Sequence, residues 1–163
     1  MNNDFGSTGA TRTVLAEYFR AQAAWRDRVA EDYPNDSRNH QSARALEHVA
    51  NVVESMSVED EVFQTVALLQ CDLDVMVTGE EAGRLAGRYG FDGPFPSADD
   101  AERFIRAWVN LYAHEAIKTQ LDVGEDMENV RELGRQVLGP DELEAIVDQA
   151  IAFELDLEWG DDA

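Results

Sequence analysis

Lysine is nearly missing from this chain: Lys118 stands beside twelve arginines in 163 residues. Bases of both kinds are outnumbered, 13 Lys and Arg against 34 Asp and Glu, which gives a formal net charge of −21 and a sequence pI of about 4.2. General nucleic-acid binding rests on cations that displace phosphate counterions, so the composition excludes it as a default. An anionic membrane surface would repel the chain as well. A single cysteine, Cys71, rules out an internal disulfide and agrees with a reducing compartment. No nearby histidine or cation would lower its thiol pKa, so Cys71 reads as a small buried hydrophobe beside Leu69 and Leu73 rather than as a nucleophile. Long hydrophobic runs are missing too. The longest aliphatic stretch is Val66 to Leu69, far short of the roughly 18–20 residues that span a bilayer. Residues 1–13 lack a basic region followed by an apolar one, so no secretory leader is read there and a soluble, cytoplasmic protein is expected.

What the chain does have is enough apolar material to fold, 44% hydrophobic with 9% aromatic, and that material recurs at helical spacing. Leu15, Tyr18, Trp25 and Val29 share a stripe with Phe19 beside it, which predicts a first helix over about residues 11–32, stopped at Tyr33 and Pro34. Asn35 or Asp36 is placed to cap a second helix over about 37–56, carrying Leu46, Val49, Val53 and Met56. Ser57 and Asp60 form a capping pattern ahead of a third, with Val62, Val66, Leu69 and Leu73. Residues 71–78 alternate as a half-buried strand would, but a lone strand lacks a partner, so they read as the frayed end of that helix and a connector. Thr78 and Glu81 form a second capping box before a short helix that runs to about Tyr89. A loop rich in Gly and Pro follows, and Ser97 then caps a long helix that presents Phe104, Trp108 and Leu111 with Ile105 and Tyr112. Val130, Leu133 and Val137 mark another helix, and Leu143, Ile146, Ala150, Phe153 and Leu157 a last one after Gly139 and Pro140. The expected fold is all-α, a compact bundle of six or seven amphipathic helices without significant sheet. Its expected organisation is a disordered segment 1–10, a single helical domain 11–158 divided into a near-neutral layer 11–77 and an acidic part 78–158, and an acidic tail 159–163.

Three kinds of chemistry have partial motif matches in the chain. Residues 78–110 have the outline of a helix-turn-helix, but the eight-residue loop is long and the second helix opens with Asp99 and Asp100, which would meet phosphates first. Asp72 and Asp74 begin like a calcium loop, yet Met76, Val77 and Gly83 stand where such a loop needs an oxygen ligand, Gly and Glu. His40 and His48 lie eight residues apart, about 12 Å along a helix, and His114 lacks a second histidine one turn away, so no metal ligands are assigned. Glu125-x-x-Glu128 and Glu158-x-x-Asp161 match the carboxylate pairs of all-helical, magnesium-dependent nucleoside triphosphate pyrophosphohydrolases. With 17 glutamates in the chain, however, about two E-x-x-E matches arise by chance. No catalytic residue, metal or cofactor is assigned, and a nucleotide hydrolase and a helix-turn-helix regulator remain the alternative readings.

The distribution of charge is more informative than any motif. Residues 1–56 hold eight acids and six arginines, net −2, whereas residues 57–163 hold 26 acids and seven bases, net −19. From Asp141 onward there are nine acids and no base. Abundant acid with little lysine is also a pattern of high-salt adaptation, but that alone should coat both parts evenly. The asymmetry points to an acidic surface, with Asp141, Glu142, Glu144 and Asp148 as its candidates, that attracts a basic protein or ribonucleoprotein by steering as well as contact. Arg20, Trp25, Arg26 and Arg28, with Arg38 and Arg44 further on, mark a second candidate surface for an acidic partner or for a second copy in a homodimer. The functional expectation is therefore a non-enzymatic, regulatory interaction protein that binds a basic partner, as an inhibitor, an antitoxin-like protein or a DNA-mimic-like adaptor would.

Overall fold

The computed structural model describes residues 8–88, 97–122 and 126–149. Every regular element among them is α-helix, as the periodicity implied. In chain order these are α1 (Thr8–Asp32), α2 (Arg38–Ser55), α3 (Glu61–Leu69), α4 (Leu73–Met76), α5 (Gly79–Arg88), α6 (Ala98–Asp122) and α7 (Met127–Val137), with residues 140–149 also helical. No helix among them is long and apolar enough to cross a membrane. The chain divides into two compact units, Met1–Val109 and Asn110–Ala163, and the division falls within α6. The charge-based division at residue 78 therefore lies inside the first unit.

In the first unit α1 and α2 are antiparallel, as their cross-links show. Asp27 meets His40 at 3.0 Å, Arg20 reaches Asn51 at 3.2 Å and also bonds Glu54, and Arg12 donates to the Met56 carbonyl at 2.9 Å. Small residues let the two backbones approach. Ala16, Ala23 and Ala30 are buried at steps of seven on α1, and Ala43 and Ala50 repeat that step on α2. An interaxial distance is set by the side chains at the crossing, and alanine permits the short end of the range. The stripe expected on α1 is corrected accordingly: Leu15, Tyr18 and Phe19 are buried, but Trp25 is exposed and Val29 half-buried. α1 is described from Thr8, three residues before its expected start, and Thr11 within it is fully buried. Residues 1–7 lie outside the described residues.

An aromatic cluster joins α1 to the first half of α6. Tyr18 and Trp108 ring centroids are 5.1 Å apart, Phe19 and Trp108 5.4 Å, and Phe19 and Phe104 6.0 Å, in tilted or edge-on arrangements that suit ring quadrupoles. Burial, together with the nearby Asp74 charge, pushes the Tyr18 phenol up to about 12.

Helix starts are set by local polar chemistry. Ser97 accepts the Asp100 amide at 3.2 Å, and Thr78 and Glu81 form the reciprocal box, with the Glu81 amide on Thr78 Oγ1 at 3.2 Å. Asp36 accepts the Arg38 amide at 3.0 Å and binds that guanidinium twice, which holds its carboxyl down at about 2. Two caps differ from expectation: the N-cap of α2 is Ser37, without a side-chain cap bond, rather than Asn35 or Asp36, and that of α3 lies later than Ser57. α3 is capped by Asp60, whose side chain accepts the Val62 amide at 3.1 Å, while Ser57 caps only the preceding turn. Asp60 wins because the same carboxylate takes Arg106 of α6, at 3.1 and 2.9 Å, and so anchors two elements at once. α3 ends at Gln70, a non-glycine residue at φ 54. Asp72 then caps the single turn α4 by accepting the Asp74 amide at 2.9 Å, so the region expected as a frayed connector contains its own helical turn.

Candidate functional site

In the second unit, Asp126 caps α7 by accepting the Glu128 and Asn129 amides, and Gly139 and Pro140 break α7 from the helical residues 140–149. Proline suits a first helical position, where its missing N–H has no partner to lose. Leu143, Ile146 and Val147 are buried and fix which side of this segment faces inward. Leu143 packs against Gly134 of α7 so closely that a methyl group at residue 134 would overlap Cδ1 of Leu143 and lie 3.2 Å from Cδ2. At 100° per residue, burial of 143, 146 and 147 turns 141, 145 and 148 outward.

The four acidic candidates thus all lie on solvent-facing positions of one helical segment, and they divide into two kinds. Glu142 and Glu144 sit on the flanks and are engaged: Glu142 with His114 Nε2 at 2.9 Å, and Glu144 with Arg131 at 2.7 Å. Asp141 and Asp148 lie near the centre of the outward side, two turns apart, and neither pairs with a described residue. The bases of the unit are consumed locally. Lys118 lies 3.6 Å from Glu115, Arg135 3.1 Å from Glu132, and Arg131 on Glu144. These are the three bases of residues 110–163, against 15 acids. The excess carboxylate charge is therefore left to solvent or to a partner.

The arginine candidates separate as well. Arg20 is held within the fold by Glu54 and Asn51, so its charge clamps α1 to α2, and Glu54 is held below the usual carboxylate range by that guanidinium. Arg26 stacks over the Trp25 ring, 5.5 Å from its centroid, while Trp25 remains 48% exposed. Arg28 is exposed on the same helix. Of the further arginines, Arg38 is bound to Asp36 and Arg44 is exposed.

The residues weighed for other chemistry have local roles. Asp72 and Asp74 form the α4 cap. His40 bonds Asp27, His48 is half-buried on α2, and His114 bonds Glu142. Cys71 is half-buried rather than buried, and its thiol donates to the Leu69 carbonyl at 3.4 Å. Among the described residues no group of three or more His, Cys, Asp or Glu is placed to hold a metal ion. Glu128 is exposed on α7, whereas Glu125, Glu158 and Asp161 lie outside the described residues, as do the loop 89–96, the apolar positions Ala150, Phe153 and Leu157, and the tail 159–163. The first turn of α6 carries Asp99 and Asp100, with Asp100 paired to Arg103. Comparison of the chain with protein-family models, curated proteins and solved structures gives no match.

The pairing of Asp60 with Arg106 has no signal in the sequence, because a carboxylate and a guanidinium 46 positions apart carry no local pattern. The step-of-seven alanines are a signal that the sequence does contain, masked there by the larger residues around them.

Proposed function

We propose that this protein is a non-catalytic interaction protein whose acidic 140–149 surface binds a basic protein partner. The observation that carries the reading is that each of Lys118, Arg131 and Arg135 is already paired, while Asp141 and Asp148 project from a helix braced by Leu143 and by the Arg131 bond. Uncompensated carboxylates on the outward side of a packed helix suit electrostatic steering, which accelerates encounter with a basic surface and suppresses acidic competitors. A regulatory role, by masking a basic surface on an enzyme or nucleic-acid-binding protein, follows from that chemistry, and a cytoplasmic setting suits the free thiol.

The test is affinity purification with the full chain and with an Asp141→Lys, Asp148→Lys variant, followed by titration of the recovered partner at several salt concentrations. The reading requires a basic partner whose binding weakens steeply with salt and is lost with the variant. A neutral partner, salt-indifferent affinity or undiminished binding by the variant would overturn it. Release of pyrophosphate from a nucleotide panel in magnesium would favour the hydrolase reading instead.

A further inference from the structure

The outward side of α1 carries a charge order that is complementary to itself. Glu17, Ala21, Ala24 and Arg28 are all exposed, and their steps of four, three and four keep them on one side of the helix. Trp25 borders this side with nearly half of its surface exposed. Neither Glu17 nor Arg28 forms an ion pair with a described residue, and Arg20, the nearest arginine to Glu17, is held by Glu54 and Asn51. Followed in either direction along the helix, a charge is succeeded by two alanines and then by the opposite charge. The symmetry point lies midway between Ala21 and Ala24.

From this arrangement we infer that the exposed side of α1 is the contact surface of an antiparallel homodimer. A two-fold axis through that midpoint sets Glu17 of one copy opposite Arg28 of the other, and does so twice, as an isologous interface requires. Each pair lies about 8 Å along the helix from the axis, at 1.5 Å per residue. Ala21 and Ala24 meet their counterparts at the centre, where short side chains permit close approach. The axis keeps the two Trp25 rings on the same flank, about 7–8 Å apart along the helix, so that each ring covers the other copy's alanines. None of these residues belongs to the acidic 140–149 segment, so this contact and the binding of a basic partner are separable by substitution.

Charge reversal tests the arrangement in the full chain by analytical ultracentrifugation, with circular dichroism to show that helix content is retained. Wild-type protein is expected to dimerise at about 100 μM. Glu17→Arg alone and Arg28→Glu alone each place like charges opposite one another, and each should raise the dissociation constant about tenfold or more. An equimolar mixture of the two single variants, or a chain carrying both substitutions, restores opposite charges and should recover the dimer. Trp25→Ala should weaken the dimer, and Asp141→Lys should not. A wild-type monomer at that concentration, a dimer indifferent to single reversal, or failure of both the mixture and the double variant to recover it would overturn the inference.

Discussion

Asp60 joins two structural tasks in one carboxylate, and the two can be separated by substitution. Its side chain caps α3 through the Val62 amide and binds Arg106 of α6 through both oxygens. Asp60→Ala removes both. Loss of a cap costs about 1 kcal/mol. The ion pair adds about 0.5–1 kcal/mol, held to that range because the Arg106 side chain is 44% exposed and keeps Glu102 as a second partner. The expected total is about 2 kcal/mol. Asp60→Asn keeps a capping oxygen and loses the charge, so it should cost about 0.5–1 kcal/mol. The Arg106 bond holds the Asp60 carboxyl below its ordinary value of 3.8. For a lowered carboxylate the stabilisation is complete above the unfolded value and is lost as pH falls through the folded one. The deficit of Asp60→Asn against wild type should therefore be full at neutral pH and shrink as the pH is lowered below about 4. Urea unfolding followed by circular dichroism measures both. Equal stability of Asp60→Ala and Asp60→Asn, or an Asn deficit unchanged in acid, would refute the double role of this carboxylate.

Other substitutions probe packing, backbone and burial. Gly134→Ala should destabilise by about 1 kcal/mol, because overlap with buried Leu143 outweighs the roughly 1 kcal/mol that alanine contributes to a helix. In a Leu143→Ala background the same change should be neutral or stabilising, and additive effects in the double-mutant cycle would count against the contact. Gln70→Gly should stabilise by about 0.5–1 kcal/mol, since Gln70 holds φ 54 at the end of α3; a lower unfolding midpoint would contradict this. Spectrophotometric titration should show a phenol ionisation near 12 that is lost in Tyr18→Phe. A raised phenol contributes stability below its ordinary value of 10 that is lost as pH climbs towards the folded value, so coincident titration curves for the two proteins would exclude the effect of burial.

Much of the helical layout was legible because its causes are local. The boxes at Thr78 and Ser97, the break at Gly139 and Pro140, and the spacing of Val49, Val53 and Met56 each act within one or two turns. The cap of α3 falls at Asp60 instead of Ser57 because the deciding partner, Arg106, comes from another helix. Trp25 fits the apolar stripe of α1 by hydrophobicity alone, whereas the close crossing with α2 selects alanine for the buried side and leaves the indole outside.

Sequence by itself determined the helical class and the uneven charge, because periodicity, capping and composition are properties of neighbouring residues and of totals. Only the tertiary structure decided which charges are spent. Arg20 and Arg106 clamp helices, Lys118, Arg131 and Arg135 are paired, and Asp141, Asp148, Glu17 and Arg28 are left facing outward. That division depends on distances between residues far apart in the chain, which no local pattern encodes.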